Sequence, residues 1–133
     1  MAIAQKEDTA QVIRELVKSI QLNTESKRKS LNEEEVANFQ KHFGKIWGQL
    51  SIRDYEWLTS YPNFNVRITI AQSEDAVKFI QANSRKMIIR MAEDMLSQVR
   101  EALSNRACIP QDVRLYARGK EECRDRAKAW AMY

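Results

Sequence analysis

Only three glycines and two prolines interrupt this chain of 133 residues. A turn-rich β fold needs such breakers every ten residues or so, and a disordered chain would not carry 44% apolar residues. Helix is the class that remains. At this length one domain is expected, covering residues 1–133 and burying roughly two thirds of the surface that the unfolded chain exposes.

Hydrophobic spacing places the elements. Asp8 and Thr9 can cap a first helix that carries Val12, Ile13, Leu16, Val17 and Ile20 on one face and ends near Leu22. Asn23 to Ser30 is polar throughout and reads as a solvated connector. Asn32 followed by Glu33, Glu34 and Glu35 opens a second helix. The Asn side chain accepts an orphan amide, Glu35 reaches back, and the carboxylates meet the positive end of the dipole. Val36, Phe39, Phe43, Ile46 and Leu50 then trace one stripe. Ser51, with Asp54 three residues on, caps a short helix to about Ser60, which Pro62 ends.

From Phe64 to Ile70 the apolar residues alternate with Asn65, Arg67 and Thr69, the period of a half-buried strand. Its one internal partner would be residues 112–118, where Val113, Leu115 and Ala117 alternate with Arg114, Tyr116 and Arg118. That segment reads nearly as well as a helix started by Pro110 and stopped by Gly119. The longest helical pattern runs from Ser73 to about Ser104. As one helix it would be ~45 Å long, wider than a compact domain of this size. It must therefore break near Asn83 and Ser84 or project toward a partner, with Met87, Met91 and Met95 as an apolar contact stripe. A last helix follows Gly119. The expected fold is mainly α: a compact domain of four to five helices with at most a two-stranded β element, 64–70 with 112–118.

The chemical inventory is thin. No glycine-rich phosphate loop, H-E-x-x-H or C-x-x-C occurs, and the sole histidine, His42, has no nucleophile motif around it. Cys108 and Cys123 are too few for a disulfide framework and lack partners for zinc. A helix-turn-helix alignment on Gly48 fails, because Gln49 and Asp54 fall at core positions and Ser51–Ser60 sets Asp54 and Glu56 against Arg53. The expectation is a protein that is not an enzyme and uses no cofactor, metal or small-molecule substrate. Charged residues precede any apolar run of signal-peptide length, and no stretch approaches the ~18 apolar residues of a membrane span. The setting expected is cytoplasmic, away from membranes.

Charge supplies the functional pointer. Residues 85–133 hold 11 Lys and Arg against 7 Asp and Glu, whereas residues 1–84 hold 11 of each. From about residue 106 onward the chain forms a basic C-terminal segment. Lys120, Arg124 and Lys128 fall at i, i+4 and i+8, and Arg114 and Arg118 share one face of the preceding segment. Glu121, Glu122 and Asp125 interleave, and Glu122 with Arg126 or Arg90 with Asp94 suit i,i+4 pairing. These features suggest a non-catalytic interaction or regulatory protein. It would self-associate or dock, as an accessory protein or inhibitor, on a nucleic-acid-handling complex through the long helix and the basic face. The alternative is direct, sequence-independent DNA or RNA binding through Arg114, Arg118, Lys120, Arg124 and Lys128.

Overall fold

A computed structural model describes residues 9–26 and 30–132, with side chains at all of these except 23–26. Among the described residues there are nine α-helices, two 3-10 turns and no strand.

Helix α1, Thr9–Ser26, buries Ile13, Leu16, Val17 and Ile20. It runs a turn past Leu22 and so takes in the first half of the expected connector; Lys27, Arg28 and Lys29 lie outside the described residues, as does Asp8. Helix α2, Glu33–Ile46, starts with the expected capping box. Asn32 Oδ1 accepts the Glu35 amide at 2.8 Å, and Glu35 Oε1 accepts the Asn32 amide at 2.9 Å. The second oxygen of Glu35 accepts the Ser19 hydroxyl at 2.7 Å, tying α1 to α2. A 3-10 turn, Trp47–Gln49, leads to α3, Ile52–Leu58, which opens with the Ser51–Asp54 capping box. Buried Tyr61 then accepts the Leu31 amide at 2.6 Å, holding the entry to α2.

Residues 64–70, expected as a strand, are helical, and residues 112–118 take the helical of their two expected readings, between Pro110 and Gly119. Residues 64–70 belong to α4, Phe64–Ala71, whose start is set by Asn63 accepting the Asn65 amide at 2.8 Å. The alternation misleads because α4 is covered on most sides. Val66 and Ile70, one turn apart, are fully buried, Thr69 satisfies its hydroxyl on the Asn65 carbonyl, and Arg67 is drawn into an ion pair. Tertiary packing thus decides against the β preference of these branched residues. Residues 112–118 fall in α8, Gln111–Ala117, and its C-cap Arg118. Pro110 accepts the first amides, and Gly119, at φ +99°, closes the helix. The Gly119 amide bonds Tyr116 O at 2.9 Å and the Lys120 amide bonds Leu115 O at 3.0 Å, a Schellman closure that only glycine adopts without strain.

The long pattern divides into α5 Glu74–Asn83, α6 Arg85–Ala92 and α7 Ser97–Ser104. With the two strands replaced by helices, this division raises the count from the expected four to five to nine. Ser84 makes the first break: its amide bonds Ile80 O at 2.7 Å and its hydroxyl caps α6. The second break, at Glu93 to Leu96, follows from Asp94, whose Oδ1 accepts the Leu96 amide at 2.9 Å. Helix α6 packs against α5, α7, α8 and the last helix, α9, Arg124–Ala131, which follows a 3-10 turn at Glu121–Cys123. One apolar core runs from Ile13 to Ala127, and α6 gives it Met87, Ile88, Ile89, Met91 and Ala92.

Candidate functional site

The methionine stripe does not survive as a contact surface. Met87 and Met91 are 2% and 3% exposed, inside the core, whereas Met95 stands 92% exposed in the turn before α7. Breaking the helix at Glu93 rotates Met95 away from the other two. A projecting apolar helix is therefore absent among the described residues, and none is long and apolar enough to cross a membrane.

The five cations separate into two groups. Arg114 and Arg118 lie one turn apart on α8, and Arg118 Nη2 reaches Ser104 O at 3.4 Å and Asn105 Oδ1 at 3.5 Å on the α7 side. Arg114 Nε is buried and has no hydrogen-bond partner among the described residues. Lys120 precedes the 3-10 turn and α9 begins at Arg124, so the ridge expected from i,i+4 spacing holds only between Arg124 and Lys128. Lys128 Nζ lies 3.3 Å from Glu93 Oε2, which also accepts the Tyr116 hydroxyl at 2.5 Å. That hydroxyl, aided by Lys128 and Arg124, holds the Glu93 carboxyl below its ordinary range, and burial with the Glu93 charge pushes Tyr116 up to about 12. Arg126 pairs with Asp112 at 3.1 Å rather than with Glu122, and Arg90 meets Glu56 at 4.0 Å rather than Asp94. Such exposed pairs contribute no more than about 1 kcal/mol each. The Lys120 and Arg124 side chains are exposed and make no side-chain hydrogen bond or close ion pair among the described residues, and the acids beside them, Glu121, Glu122 and Asp125, are exposed as well.

Cys108 is held in a structural contact. The Cys108 amide donates to Glu74 Oε2 at 2.9 Å. Burial, together with a thiol hydrogen bond to the same carboxylate, pushes the Cys108 thiol up to about 12, far from the thiolate that a nucleophile requires. Cys123 is buried and His42 half-buried on α2. No three His, Cys, Asp or Glu side chains gather as a metal site among the described residues.

Sequence reasoning missed one concave feature. Where α5 meets α6, a groove of about 550 Å³ is lined by Lys78, Arg85 and Lys86, with Gln81, Asn83 and Ser84 between them and Ala131 and Met132 opposite. The Arg85 guanidinium lies 5.0 Å from the Trp130 ring centroid and donates to Trp130 O at 3.0 Å, which fixes this wall to α9. The available signal was Arg85 and Lys86 in the first turn of a helix, where carboxylates are usual. No family model matches the chain, and neither a curated protein nor a solved structure matches it.

Proposed function

We propose that the chain is a small, non-catalytic interaction protein whose C-terminal face docks on an acidic protein surface of a nucleic-acid-handling assembly, as an accessory protein or inhibitor. The observation that supports this most is the mixed charge around α9, within a C-terminal segment, residues 106–133, that holds seven Lys and Arg against four Asp and Glu. The exposed Lys120 and Arg124 side chains make no close ion pair among the described residues, Arg124 acting on Glu93 only at longer range, and they stand beside exposed Glu121, Glu122 and Asp125. A lattice of phosphates would be repelled by those acids, whereas a protein surface can answer both signs. The net excess of cations points to an acidic counterpart and carries the nucleic-acid setting of the proposal. Two unpaired cysteines suit a cytoplasmic compartment. Self-association is the weaker form of the reading, since the net-positive face would meet its like.

The second reading is direct, sequence-independent DNA or RNA contact through Arg114, Arg118, Lys120, Arg124 and Lys128, favoured by the two unpaired cations. One titration separates the two. Generic duplex DNA and RNA, followed by anisotropy at about 50 and 200 mM salt, should bind weakly and equally to wild type and Lys120→Glu/Arg124→Glu. Tight, salt-steep binding that the double variant loses would replace the first reading with the second.

A further inference from the structure

We propose that the groove between the α5–α6 junction and the end of α9 binds a phosphate ester of nucleotide size, at a site that borders the C-terminal face at Lys128 but includes neither Lys120 nor Arg124. Three cations from two helices, Lys78, Arg85 and Lys86, line it without a carboxylate among its described walls. Like charges gathered in a concavity repel one another, and an anion placed among them relieves that repulsion.

Neither lysine is neutralised from its own helix. Glu74, one turn before Lys78, is held by the Cys108 amide and thiol, Asp75, three residues before Lys78, makes no ion pair with it among the described residues, and α6 has no acid one turn beyond Lys86, where Arg90 stands. Arg85 is held against Trp130 and keeps its charge, so one donor is fixed in place before a ligand arrives. Gln81 Oε1, buried in the same wall without a hydrogen-bond partner among the described residues, is an acceptor for a ligand hydroxyl or amino group rather than for the phosphate.

The adjoining surface sets the ligand class. A smaller hollow of about 220 Å³ shares Lys86, Ala131 and Met132 with the groove and adds Ile89 and Lys128. A phosphate on Lys78, Arg85 and Lys86 would therefore have an apolar floor of Ile89, Ala131 and Met132 beside it for a flat ring. A nucleotide has both parts, either free or as a unit of a single strand. The groove's volume is in the range of ligand sites rather than of bare ions, and the smaller hollow extends it.

The test is an NMR titration of isotope-labelled full-length protein at low salt with adenosine monophosphate, inorganic phosphate, adenosine and a short oligothymidylate. Adenosine monophosphate and phosphate should shift the amides of Ser84 to Met87, and adenosine should not. Lys78→Ala/Lys86→Ala, both at exposed positions, should keep its melting temperature and weaken adenosine monophosphate at least about tenfold. An oligonucleotide that binds tighter than the mononucleotide identifies a strand as the source of the phosphate; equal affinity identifies the free nucleotide. The absence of shifts at these amides up to about 10 mM, or an affinity unchanged in the double variant, would overturn the proposal. Neither result bears on Lys120 and Arg124, so this site and the docking face stand or fall separately.

Discussion

Met91→Asp should leave the protein largely unfolded, while Met95→Asp, four residues on, should melt like wild type. Met91 is 3% exposed on a helix packed against four others. Truncating a buried methionine costs about 2–5 kcal/mol in lost burial and cavity formation. An unpaired carboxylate in the same place adds a desolvation penalty of several kcal/mol more. The sum rivals the ~5–15 kcal/mol by which a domain of this kind is stable. Met95 is 92% exposed, and a charge there should change stability by less than about 0.5 kcal/mol. Far-UV circular dichroism and thermal melting read both variants, with Met91→Ala as a milder member of the series. A folded Met91→Asp that had lost only a binding partner would mean that the methionines face outward after all.

The second large effect belongs to Asp94. Its Oδ2 accepts Arg67 Nε at 2.8 Å, its Oδ1 accepts Arg67 Nη2 at 3.2 Å, and Arg100 donates to its carbonyl. Arg67 also donates to Tyr61 O at 2.6 Å and Pro62 O at 3.1 Å. With side chains 15% and 9% exposed, this pair is shielded from water and joins α4 to the turn between α6 and α7. Asp94→Ala should cost about 3–5 kcal/mol, because it strands a partly buried guanidinium as well as removing a bond. Arg67→Met/Asp94→Leu, which removes both charges, should cost distinctly less. Chemical denaturation of the single and paired variants measures the difference; an Asp94→Ala loss below about 1 kcal/mol would show the pair to be incidental.

The same ion pair shows where sequence reading ends. The capping boxes at Asn32 and Ser51 are built from residues three apart, and both are legible from local spacing. Ser84 is legible for the same reason. The break at Asp94 is less so: the Asp94–Leu96 turn is local, but the ion pair that holds it in place comes from Arg67, 27 residues earlier in the chain. Residues 64–70 failed in a related way. Their alternation is real, but Thr69 and Arg67 find partners under partial cover, so the side that reads as solvent-facing is half-buried. Among the candidate contact residues, Lys120 and Arg124 are exposed as charge patterning implies. Lys128 meets a carboxylate from another helix, and the phosphate groove joins Lys78 to Met132, a proximity that no local spacing encodes.

The account rests centrally on a docking face made of C-terminal charge rather than of methionines. Affinity capture from a nuclease-treated lysate of the native host, with wild type, Met95→Asp and Lys120→Glu/Arg124→Glu as baits, tests this most directly. A stoichiometric protein should come down with wild type and Met95→Asp and be missing from the charge-reversed bait. Equal recovery on all three baits, or a partner that vanishes with nuclease treatment, would contradict it.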